Sequence, residues 1–164
     1  MIQPRSMIAA LSVAVALTTT MSGCSAPPRG GIAVDEEQSR QAAEQVLHQV
    51  FEVDGPEWPE DERDAEPAHA ECTADDDPHG GRQDHWNAMG SAPSDPKAYI
   101  ESIANMLREH DRTVAVRSAD GGKYGTLYQA IADDDGKPML AVTANPRTTT
   151  VTVESMCAPV AEHG

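Results

Sequence analysis

The last third of the chain most constrains the fold. Four strand-like runs, Thr113 to Ala119, Thr126 to Ala132, Met139 to Ala144 and Thr148 to Met156, are separated by Asp120-Gly121-Gly122, Asp135-Gly136 and Asn145-Pro146. Such Gly- and Pro-containing pairs punctuate hairpins. Val114 with Val116, Leu140 with Val142, and Val151 with Val153 recur at a spacing of two, which puts each pair on one side of its strand. The second run alternates less cleanly. One-sided alternation of this kind predicts an antiparallel sheet with one covered face. Ser155 and Cys157 share parity with Val151 and Val153, so Cys157 is expected to face the core if the strand continues that far.

Two amphipathic helices can supply the cover. Asp35 caps the first, with Gln38 as the other half of a capping box. Ala43, Val46, Leu47, Val50 and Phe51 form its stripe, and Asp54-Gly55-Pro56 stops it. Pro96 after Asp95 begins the second, whose stripe is Tyr99, Ile100, Ile103, Met106 and Leu107, ending near His110. The expected fold is therefore α+β: an antiparallel sheet of about four to six strands with two helices packed on one face. Residues 35–158 form the domain and 159–164 a flexible tail. Residues 55–93 read as a long acidic loop, punctuated by proline, with weak strands at Ala68 to Cys72 and His85 to Met89. Trp86 is expected in the core or on an edge strand. There is no internal repeat.

The first 23 residues have the layout of an export signal. Arg5 is followed by the apolar run Met7 to Leu17, three threonines and Met21-Ser22-Gly23. The apolar run falls short of the roughly 20 residues that span a bilayer. Met21-Ser22-Gly23-Cys24 resembles a bacterial lipobox, matching at Ser22, Gly23 and Cys24 and departing from the commoner leucine at Met21. The resemblance implies cleavage after Gly23, acylation of Cys24 with palmitate-type chains, and a secreted lipoprotein held on the extracytoplasmic face of the cell membrane. Residues 24–34 are then a lipidated N-terminus and a short Pro/Gly-rich linker.

With Cys24 taken by lipid, Cys72 and Cys157 remain as a pair in an oxidising compartment. A disulfide between them is expected, two free thiols or a metal site being the alternatives. The charge is acidic. Loss of Arg5 leaves 27 acids against 11 basic residues, formally −16. That field repels nucleic acid and anionic lipid head groups. The order helix, loop, Cys72, Trp86, helix, strands and a closing Cys157-Ala158-Pro159 resembles small lipoproteins of mycobacteria and related high-GC Gram-positive bacteria. Members of such families are largely of unknown function.

Catalytic motifs are missing from the sequence. It contains no HExxH, no GxSxG elbow, no Walker A and no dinucleotide fingerprint. His69, Cys72, Asp75, Asp76, Asp77, His79 and His85 carry metal-ligating chemistry close together but at no established ligand spacing, and the disulfide would consume Cys72. Asp133-Asp134-Asp135-Gly136 fails as a calcium loop, since Ile131 and Val142 fall at its first and twelfth positions. The expectation is a non-enzymatic binding or interaction module without a metal or other cofactor. A metal or small-ligand carrier is the alternative, with an envelope hydrolase behind it. The partners expected are the membrane, through lipid on Cys24, and an envelope protein or small ligand. Trp58, between Glu57 and Pro59, is the candidate partner contact, since interfaces favour tryptophan; a loop side chain folded back on the domain is the favoured alternative.

Overall fold

A computed structural model describes residues 35–73 and 80–159. Cys24, Asp75 to Asp77, His79 and the tail beyond Pro159 lie outside the described residues.

Helix α1 (Glu36–Phe51) begins as its cap predicts: Gln38 N donates to Asp35 Oδ1 at 2.8 Å. It buries Ala43, Val46, Leu47, Val50 and Phe51 together with Ser39. The stretch expected to be a loop is largely ordered secondary structure. It holds a single helical turn, α2 (Glu60–Arg63), a short strand, β1 (Ala68–Cys72), and an eleven-residue strand, β2 (Gly81–Ser91). The weak strand expected at Ala68 to Cys72 is β1, and the one expected at His85 to Met89 is the middle of the longer β2. The sequence does not show α2 and the ends of β2, because the outward side of β2 faces solvent and needs no apolar alternation. Helix α3 (Pro96–Glu109) follows, capped by Asp95 Oδ1 on Ala98 N at 3.0 Å. Then come β3 (Val114–Asp120), a 3-10 turn (Gly122–Tyr124), β4 (Thr126–Ala132), β5 (Met139–Ala144), β6 (Thr148–Glu154) and the two-residue β7 (Ala158–Pro159).

The strands form one fully antiparallel sheet in the order β1-β2-β6-β5-β4-β3, with β7 pairing the start of β2. The α+β class and the two-helix cover are as the sequence predicts, and the sheet has six strands plus β7. Ala88 and Trp86 of β2, Val151 and Val153 of β6, Leu140 and Val142 of β5, and Ala130 and Ala132 of β4 point to one face. Both long helices share that core, with α1 over β2 and β6 and α3 over β3, β4 and β5. Burying Ile100, Ile103, Leu107, Leu140, Val142, Val151 and Val153 is the main source of stability, at roughly 1.5–3 kcal/mol each.

One interior ion pair fixes the crossover from α3 to β3. The helix closes with Asp111 at φ 55° and with Arg112 N donating to Leu107 O at 3.1 Å. This left-handed cap turns the Arg112 side chain, 6 % exposed, onto Asp134 in the β4–β5 turn at 2.9 Å. Its guanidinium also donates to Pro138 O at 2.6 Å and Ala132 O at 3.2 Å. Arg112 and the Thr113 amide hold the Asp134 carboxyl below its ordinary value of 3.8. The aspartates that fail as a calcium loop therefore include a structural anchor.

Candidate interaction surface

The face of the sheet turned away from the helices has no helix packed on it among the described residues. Register and alternation assign its side chains. Arg117, Gln129, Thr143, Thr150 and Met89 form one row across β3, β4, β5, β6 and β2. Ala115, Ile131, Ala141, Thr152 and Asn87 form the next. Cross-strand contacts agree: Gln129 Nε2 donates to Thr143 Oγ1 at 3.2 Å, and Thr152 Oγ1 to Asn87 Oδ1 at 3.4 Å. Short threonine, alanine and amide side chains make the surface flat, and Met89 stands on it 55 % exposed. Flat, half-apolar area of this kind fits contact with another surface better than enclosure of a small molecule.

The two edges of the sheet differ. On the β1 side the strand is five residues long, and past its end the margin of β2 is covered. Glu62 Oε2 accepts from Met89 N at 3.0 Å, Glu57 O accepts from Ser91 N at 2.9 Å, and Ser91 Oγ accepts from Glu57 N at 2.7 Å. On the other side β3 is seven residues long, paired without a bulge to β4 along its whole length, and exposed from Ala115 to Asp120. Beside it runs a cleft of about 150 Å³ lined by Lys97, Ile100 and Glu101 of α3 with Val116, Ser118 and Tyr128. A second cleft of about 200 Å³, between Val46 and Gln49 of α1 and the Arg112–Pro138 corner, is wide open.

Cys72 and Cys157 are joined, with Cα atoms 5.9 Å apart. The bridge crosses β2 at Gly81, where a Cβ would stand 2.6 Å from Cys157 Sγ and 3.2 Å from Cys72 Sγ. Gly81 shares a face with His85 and Met89, so the bridge lies on the open side of the sheet, at its Gly81 corner. The expectation that Cys157 faces the core does not hold. Strand β6 ends at Glu154, and the chain turns through Ser155 and Met156 before re-entering as β7. That turn breaks the alternation on which the expectation depended.

Trp58 is not an exposed contact. It is 6 % exposed, tilted against Phe51 at 4.9 Å between ring centroids, and seated on Gly90, where a Cβ would meet its ring at 2.8 Å. The alternative reading, a side chain folded back on the domain, is the one observed, and Trp58 caps one end of the core. Trp86 is buried in the core.

His69 pairs across the strands with Asp84 and His85 with Ala68, so the two histidines lie on opposite faces. His69 Nδ1 meets buried Asp84 at 2.5 Å on the helix side, and His85 Nδ1 lies 3.4 Å from Glu154 on the open side. Among the described residues no three His, Cys, Asp or Glu side chains gather in a metal-holding group. Asp84 was missed by sequence reading. It is 3 % exposed, its main chain bonds to Ser155 in both directions at 2.9 Å, and Arg40 of α1 stands nearby, bridged to Glu44 and Glu66. The hydrogen bond to Glu44, with smaller effects from the charges of Glu44, Glu66 and Asp84, raises the Arg40 pKa against an opposing effect of burial. An acid that falls on the inward parity of β2 is the signal that could have found it.

No family model matches the chain, and no curated protein is similar to it. Among solved structures, the crystal structure of a DUF4853 family protein from Actinomyces odontolyticus is similar with a TM-score of 0.47 at 15% identity. The likeness covers 83% of this chain and 73% of that one.

Proposed function

We propose that this chain is a lipoprotein of the bacterial cell envelope, anchored through acyl chains on Cys24 and acting outside the cytoplasm as a non-enzymatic interaction module. The observation that carries the reading is the Cys72–Cys157 bridge. Disulfides persist in oxidising compartments. This one uses two of the three cysteines and leaves the third inside Met21-Ser22-Gly23-Cys24, where acylation would occur. A flat sheet face free of helices and a free strand edge support interaction as the task of the exported domain. Trp58 takes no part in it, and the open face and the β3 margin replace it as the contact surface.

Intact and peptide mass spectrometry of the native, unreduced protein tests the anchor. The expected mature chain starts at Cys24, carries diacylglyceryl mass on that residue, and yields Cys72 and Cys157 in one linked peptide. A polypeptide still beginning at Met1, or one released in water-soluble form without acylation, overturns the reading.

A further inference from the structure

The open edge at β3 is the one place in the described domain where a regular strand of seven residues meets solvent with its outer main-chain groups unpaired. Natural sheets blunt such edges with proline, lysine, bulges or a covering segment. Val114-Ala-Val-Arg-Ser-Ala-Asp120 has no proline, no lysine and no bulge, no described segment covers it, and its charges are Arg117 near the centre and Asp120 at the end. The β1 edge, by contrast, is short and its continuation is covered.

Charge decides what can approach. From Asp35 to Glu71, on α1, α2, β1 and their links, the sequence has 13 acids and two basic residues, Arg40 and Arg63. From 96 to 124, on α3, β3 and the turn after it, Lys97, Arg108, Arg117 and Lys123 balance four acids, with Arg112 already paired to Asp134. The β3 flank is therefore close to neutral in an otherwise strongly acidic molecule, and two copies can meet there without the repulsion that opposes contact through the α1 side.

We propose that β3 pairs antiparallel with β3 of a second copy of this chain, about a two-fold axis at Val116, joining the two sheets into one. Side-chain chemistry selects the register. An axis at Arg117 would set two guanidinium groups directly opposite each other, which is destabilising, and an axis at Ser118 would set Val116 against Asp120. With the axis at Val116, the two valines face each other, Ala115 faces Arg117 and Val114 faces Ser118. Val116, 45 % exposed in the single chain, then closes over the cleft lined by Ile100 and Tyr128. The two-fold axis also runs the two α3 helices antiparallel, bringing the Lys97/Glu101 rim of each cleft toward the oppositely ordered rim of the other. This inference rests on reading the domain as an interaction module but not on the lipid. A monomer would refute the pairing and leave the acyl mass unaffected.

The test introduces single cysteines into the full chain made in the bacterial envelope and follows them on non-reducing gels. V116C is expected to crosslink to itself at twice the monomer mass, well above M89C, a more exposed site on the open face. Sedimentation of the native protein is expected to show a dimer, and V116K to weaken it at least about tenfold by adding an edge charge, with the circular dichroism of the domain unchanged. Stronger self-crosslinking of R117C than of V116C would overturn the register. A monomer by sedimentation, no excess of V116C over M89C, or capture of a different protein in place of the homodimer would overturn the pairing.

Discussion

Replacing Gly81 with alanine isolates the geometry of the bridge. The φ of Gly81 is not positive, so alanine has no backbone objection there. The cost comes from what the new Cβ would strike: Cys157 Sγ at 2.6 Å, the Ala158 carbonyl oxygen at 2.7 Å and Cys72 Sγ at 3.2 Å. The sulfurs are tethered at both ends and the carbonyl belongs to β7, so neither can swing aside. Overpacking of this kind costs about 1–3 kcal/mol, and Gly81→Ala should sit near the top of that range in the oxidised protein. The bridge closes a separation of 85 residues, and chain entropy puts its contribution at about 4.6 kcal/mol at most. In a Cys72→Ala, Cys157→Ala background the two sulfur contacts vanish and only the carbonyl remains. The same glycine substitution should then cost about 1 kcal/mol less, or a larger difference still, within the usual range for side chains in contact. Urea unfolding of the four proteins of this cycle, followed by tryptophan fluorescence, measures the difference. An equal cost of Gly81→Ala in both backgrounds would refute the claim that the bridge lies on Gly81.

Trp58→Ala should destabilise the domain by about 3–5 kcal/mol, as large core truncations do; a change within about 0.5 kcal/mol would mean a surface residue. Arg112→Met should cost about 3 kcal/mol, the lower end of what breaking a buried pair costs, because Asp134 is 17 % exposed and keeps some water. The Asp134 pKa is depressed in the folded state, so its contribution is complete above the ordinary value of 3.8 and is lost as pH falls through the folded value. Acid titration of stability should lose that part of its slope in Asp134→Asn, and an unchanged slope would rule the pair out as its source. His69→Ala should cost about 1–3 kcal/mol by removing the donor that meets the buried carboxylate of Asp84; calorimetry of the oxidised protein checks it.

Where apolar period and buried face coincide, the sequence was legible. Leu140, Val142, Val151 and Val153 announce the middle of the sheet, and the two capped stripes announce α1 and α3. The segment 55–93 was legible only in part, as two weak strands, for an identifiable reason. Strand β2 buries Asp84, Trp86, Ala88 and Gly90 on one side, a set in which only the tryptophan is strongly apolar. Its glycines and aspartate serve Trp58, the disulfide and His69, three tertiary relations that no local pattern encodes. Strand β3 was visible as a strand, but its position at the margin was not. Alternation reports which way side chains point and is silent about which strands are neighbours.

The crosslink also sets how the molecule bears mechanical load. Tension entering at Asp35 and leaving beyond Pro159 would reach Cys72, pass through the sulfurs to Cys157, and never travel along the polypeptide between them. Strands β2 to β6 and helix α3 all lie within that bypassed stretch. Pulling can strip away α1, α2 and the two short marginal strands, but it stops at the covalent bond and leaves the central strands and α3 without a direct pull.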